Sequence, residues 1–160
     1  MEEHALWSGL SFGITSAAIT TLGLIIGIYA GTHSLAIILS GILTVAIADS
    51  FADSLGVHLS QEAVGTNSSK VVWQSTIITF LAKLLFALTF IIPFLFLVID
   101  FAIIICVVWG FILIGSLSYL IAKNTKQKPL KVIAEHYLIM IVVLLLANLS
   151  GKLINNYFKI

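Results

Sequence analysis

The sequence predicts an all-α membrane protein with five transmembrane helices, a cytoplasmic N-terminus and an external C-terminus. Three observations carry that prediction. Of the 160 residues, 60% are apolar and 9% charged, with a mean hydropathy of +1.15, whereas a soluble domain carries roughly 25% charged residues. The apolar residues also gather in runs long enough to cross a hydrocarbon core about 30 Å thick, which takes about 20 helical residues. Finally, the lysines are divided unevenly between alternate loops. The composition excludes a water-soluble globule, a disordered chain and a nucleic-acid binder, since a net charge of +1 sets up no field that would steer a polyanion. One cysteine, Cys106, inside an apolar run excludes a disulfide framework and a thiolate metal cluster.

The whole chain, 1–160, forms a single transmembrane domain. The first span runs from Trp7 to Ala30 and ends at Gly31-Thr32-His33. It is too long for the apolar core of a signal peptide, and Glu2 and Glu3 stand where such a peptide is basic, so it is expected to stay. The second runs from Ser34 to Ser60, closed by Gln61-Glu62 and the polar stretch Gly65 to Lys70. The apolar run from Val71 to Ala122 is long enough for two spans. Pro93 and Asp100 mark its turn, because proline disfavours a helix interior and a carboxylate prefers the interface. That places the third span at Val72–Ile92, the fourth at Phe101–Ala122 and, after the loop 123–129, the fifth at Val132–Leu153. Lys70, Lys123, Lys126, Lys128 and Lys131 then share the N-terminal face against Lys152 and Lys159 on the other, which marks the first as cytoplasmic. Trp7, Tyr29, Trp73, Tyr119 and Tyr157 fall near span ends as an aromatic belt would. His4 and His33 are expected in loops, and the sequon at Asn67 is expected to be idle on a cytoplasmic loop.

Two spans contain more than a plain anchor needs. The first carries Gly9, Gly13, Gly23, Gly27 and Gly31, a small-residue stripe that lets another helix approach closely, together with the hydroxyls of Ser8, Ser11, Thr15, Ser16, Thr20 and Thr21. Ordinary packing accounts for any single glycine; the full ladder points to a central helix. The second carries Asp49 and Asp53, four apart and so on one face, among Ser50, Ser54 and Gly56. A carboxylate within the membrane costs a few kcal/mol and normally faces a cavity, an ion or a counter-charge. Oxygen donors of this kind suit a hard divalent ion such as Mg²⁺, Mn²⁺ or Fe²⁺. Lys83 lies at matching depth in the third span. It forms either a permanent ion pair or a tethered cation that yields when a metal binds. At the cytoplasmic edge His58, Glu62, Glu135 and His136 offer four further ligands for a gathering mouth, or simply solvated interfacial residues. No nucleophile–His–acid grouping or phosphate loop appears, so no enzyme activity and no resident cofactor are expected.

Several stretches taken in order, Gly9-Leu10-Ser11-Phe12-Gly13-Ile14-Thr15, Ala48 to Leu59, Phe90-Ile91-Ile92-Pro93-Phe94, Gly115-Ser116-Leu117, Lys128-Pro129-Leu130 and Asn148-Leu149-Ser150-Gly151-Lys152, resemble the vacuolar iron transporter family over most of the chain. The resemblance implies a homodimeric, proton-coupled exporter of Fe²⁺ or Mn²⁺, with its ion path along the first two helices at the subunit interface. Phe12 stands where the family has an aspartate and Asp53 where it has a methionine. The family's cytosolic insert between the second and third spans is absent. A short chain of this kind is expected in a prokaryotic plasma membrane. The competing reading is a non-transporting membrane scaffold whose Asp–Lys pairs are structural; a third is a carrier of protons with a small cation.

Overall fold

In the computed structural model, which describes residues 2–65 and 68–158, the chain is helical almost throughout. Helix α1 spans Glu2–Thr32, α2 Leu35–Val64, α3 Ser69–Thr89, α4 Ile92–Phe96, α5 Ile99–Asn124 and α6 Pro129–Phe158. Among the described residues, five segments are long and apolar enough to cross a membrane: Ala5–Thr32, Leu35–Val64, Ser69–Phe96, Ile99–Asn124 and Pro129–Phe158. The protein is accordingly a multi-pass membrane protein. Asn67 with its sequon, Lys159, and the side chains of Glu2, Glu3 and His4 lie outside what the structure describes. His4 belongs to α1, not to a loop.

Most boundaries lie outward of their sequence-based positions, for local reasons, while α3 ends early at Thr89. Helix α2 does not stop at Ser60, because Gln61 and Glu62 are good helix formers. It stops at Gly65, whose φ of 67° is the left-handed conformation and whose N–H closes onto the Gln61 carbonyl at 3.3 Å. At its other end Ser34 caps through its side chain onto the Ile37 N–H. Pro93 is not the turn between the third and fourth spans. It sits in the first turn of α4, where its missing N–H is harmless. The chain reverses instead at the extended pair Leu97-Val98, and Asp100 falls in the first turn of α5, next to the positive end of the helix dipole.

The break after Thr89 is held from α5. Trp109 donates its indole N–H to Thr89 Oγ1 at 2.9 Å, and the Cys106 thiol approaches the Phe90 carbonyl at 3.4 Å. Cys106 is buried and serves packing.

Helix α1 is central: it packs against α2, α3, α5 and α6. Its glycine stripe makes this possible, and it splits between two neighbours. A Cβ at Gly9 or Gly13 would stand 2.8 Å from the Ser75 or Thr79 carbonyl oxygen of α3. Gly23, Gly27 and Gly31 face Val143, Ala147 and Gly151 of α6. Across that second contact a Cβ on Gly151 would meet the Gly27 carbonyl oxygen at 2.2 Å. The close approach that the ladder offers is therefore taken up within the protomer.

Candidate functional site

The lysine-rich end of the bundle is formed by the start of α1, the end of α2, the start of α3, the end of α5 and the start of α6. Part-way in from that end, Lys83 is completely buried. A lone ammonium there needs oxygen partners, and it has three. Lys83 Nζ donates to a carboxylate oxygen of both Asp49 and Asp53, and to Ser16 Oγ at 2.7 Å. Ser16 in turn donates to Asp53 Oδ2 at 2.5 Å. Three helices thus meet in one polar knot: α1 through Ser16, α2 through the aspartates and α3 through the lysine. Gly13, three residues before Ser16, lets α1 come close enough to α3 for that reach, since its missing side chain faces Thr79, Ala82 and the Lys83 backbone.

The knot is sealed on the lysine side only. The side chains of Asp49 and Asp53 remain 34% and 20% exposed, whereas that of Lys83 is fully covered. Asp53 opens on a cleft of about 340 Å³ with Ser8, Gly56, Ser60 and Gln61 on its walls. Asp49 opens on a second cleft of about 350 Å³ with Thr20 and Thr44. Ala52 borders both, so the two lie end to end along the α1/α2 face. A Cβ on Gly56 would touch nothing within 4 Å, which keeps the first cleft wide. At its outer end Gln61 donates to Ser75 Oγ at 2.8 Å while its carbonyl oxygen is buried without a partner. With all three groups ionised the knot carries one formal negative charge, with carboxylate and hydroxyl oxygens lining its openings.

Other sequence candidates are distributed differently. Ser50 and Ser54 sit beside the aspartates in sequence, but their hydroxyls bond the Ala46 and Phe51 carbonyls of their own helix at 2.5 and 3.0 Å. The four residues proposed for a common mouth do not converge. His58 Nε2 lies 3.4 Å from Glu62 on α2, and its Nδ1 is 2.9 Å from Thr76 Oγ1 on α3. Glu135 pairs at 3.8 Å with Lys131 on the exposed side of α6, and His136 Nδ1 is 2.7 Å from Ser118 Oγ on α5. Among the described residues no three His, Cys, Asp or Glu side chains gather as a metal-binding group. The i,i+4 pairs formed because helix-surface neighbours meet first, whereas α2 and α6 are held apart by α1.

Of the α1 hydroxyls noted in the sequence, Thr15 faces α5 and α6, away from the aspartates. The hydroxyl that reaches them is Ser16, one residue on. The signal for it was present: Gly9, Gly13, Ser16 and Thr20 follow the i, i+4, i+7, i+11 positions of one stripe. A contact not expected from sequence ties the opposite end, where Tyr29 donates its hydroxyl to Asp100 across α1 and α5, and His33, at a φ of 51°, lies with its ring 4.6 Å from that of Tyr29. No protein family, no characterised protein and no solved structure matches the chain.

Proposed function

From a polar knot half-open to clefts inside a membrane protein, we propose that the chain is a transporter of a divalent transition metal ion, of the Fe²⁺/Mn²⁺ class, coupled to protons and exporting from the cytoplasm. One observation carries this reading: a carboxylate pair within the membrane is held by a buried lysine on one side and left accessible on the other. A carboxylate facing lipid alone would be costly, so the clefts along α1 and α2 need a polar occupant or a cover. A homodimer meeting on that face would do both, bringing four aspartates and two lysines around one axis with a formal charge of −2, that of the counter-charge a divalent ion requires. Lys83 is then the tethered cation that holds the carboxylates between cargoes. The lysine-rich end faces the cytoplasm on this reading, and the order of motifs resembling the vacuolar iron transporters is its second support. The host would be a prokaryotic plasma membrane.

A second reading is favoured by one detail: all three ammonium hydrogens of Lys83 have oxygen partners. A permanent structural clasp in a membrane scaffold would look the same. Uptake of Mn²⁺ or Fe²⁺ into proteoliposomes separates the two. The intact protein should concentrate metal against a pH gradient, and the Asp49→Asn, Asp53→Asn double variant should not. Uptake equal in both would remove the carboxylates from any ion path.

A further inference from the structure

On the other flank of α1 lies a small, partly enclosed cavity of about 80 Å³ between α1, α5 and α6, with Thr15, Ser118 and His136 as its polar lining. It lies on the flank of α1 away from the clefts: Thr15 and Ser16 are neighbours in sequence, and about 100° of helical rotation turns one to each flank. Ser118 is buried and donates its single hydroxyl hydrogen to the Ile114 carbonyl at 2.6 Å. Its oxygen, 2.7 Å from His136 Nδ1, is then free only to accept. The neutral imidazole thus carries its hydrogen on Nδ1, and Nε2 keeps a lone pair. The cavity is large enough for about two waters at roughly 30 Å³ each, and their polar partners are confined to Thr15, Ser118 and His136 on an otherwise apolar wall. Among the described residues no Asp, Glu, Lys or Arg lines it. The α1 side gives Thr15 and Ile19, and α5 gives Ile114, Leu117, Ser118 and Ile121. On α6 itself Glu135 turns outward to Lys131, and Tyr137 donates to the Phe111 carbonyl at 2.9 Å.

We propose that His136, Ser118 and Thr15 form a hydrated proton-binding site near the lysine-rich end of the bundle, separate from the carboxylate knot. A cavity water delivers a proton to Nε2, giving an imidazolium held through its Nδ1–H by Ser118, and the same water takes the proton back. No bond other than N–H and O–H forms or breaks. The site does not depend on what the carboxylates carry. If they carry a metal, this arrangement puts a proton and the cation on opposite flanks of one helix, so that α1 senses both.

Deuterium exchange at the ring carbon between the two nitrogens, followed by mass spectrometry on the protein in lipid nanodiscs, tests this without metal. That exchange requires both ring protonation and a water-borne base at the ring. Followed over a wide pH range, His136 should exchange with a sigmoidal pH profile. Thr15→Val should slow it about tenfold, the factor that about 1.4 kcal/mol of lost hydration corresponds to. Ser118→Ala, which frees Nδ1, should move the midpoint of the profile. A wild-type His136 that exchanges without pH dependence, or that does not exchange at all, overturns the proposal. So does a profile that neither variant alters. Metal uptake plays no part in these readouts, so the transporter reading can fail while this site stands, and the reverse.

Discussion

Replacing Lys83 by methionine tests the central feature of the protein, because the two readings of the knot predict opposite behaviour toward metal. Methionine keeps most of the buried aliphatic volume, so what is lost is the ammonium with its bonds to Asp49, Asp53 and Ser16. Removing one partner of a fully buried ion pair costs about 3–5 kcal/mol. Here the stranded carboxylates are 34% and 20% exposed to clefts that admit water, so the lower end, about 3 kcal/mol, is the appropriate figure. For a chain of this length 1 kcal/mol moves the melting temperature by about 2–4 °C, which gives a loss of about 6–12 °C without metal. If the carboxylates take up a divalent ion once the lysine has gone, Mn²⁺ at about 100 times its Kd returns about 2.7 kcal/mol, nearly the whole loss. The variant should then bind Mn²⁺ at least as tightly as the parent, with an altered pH dependence. The assay is thermal unfolding in detergent with and without Mn²⁺, beside equilibrium binding of the metal. A variant that loses stability and gains nothing from metal refutes the displaceable-cation argument and leaves a structural clasp. A variant as stable as the parent without metal refutes the ion pair itself. Removing all three charges together, as Lys83→Met with Asp49→Asn and Asp53→Asn, should recover much of the stability with no metal response, since no uncompensated charge is left.

Gly13→Leu should cost more than about 2 kcal/mol and abolish uptake, because its Cβ would already stand 2.8 Å from the Thr79 carbonyl and its bulk would lift Ser16 off the knot; Gly56→Ala, whose Cβ meets nothing within 4 Å, should leave melting unchanged. Gly151→Ala should lower the melting temperature by several degrees, since its Cβ would meet the Gly27 carbonyl at 2.2 Å and force α1 and α6 apart; an unchanged melt would mean that these helices do not touch there. Cysteines placed at Thr125 and Asn156 should react with an impermeant thiol reagent from opposite sides of the membrane, Thr125 from the cytoplasm, while the native buried Cys106 stays silent; labelling of both from one side would refute the five-span topology.

The number of spans and the pairing of acid with lysine were legible in the sequence because both follow from local rules. A run of about 20 apolar residues has no stable state in the bilayer other than a helix. Two aspartates four apart share a helical face whatever surrounds them, and a lysine at matching depth has few other partners. Two things could not be read this way. The first was which neighbour each glycine of α1 serves. A stripe of small residues states that something comes close, and only the packing of α3 against Gly9 and Gly13, and of α6 against Gly27 and Gly31, decided that the visitors belong to the same chain. The second was which polar side chains converge. His58, Glu62, Glu135 and His136 share a depth, but depth fixes only one coordinate, and the helix order around α1 sets the azimuth that sends each to a different partner. For the same reason Thr15 and Ser16, adjacent in sequence and similar in chemistry, end on opposite flanks of α1. Sequence spacing determines the face of a helix on which a residue lies. Only the tertiary contacts determine what that face meets.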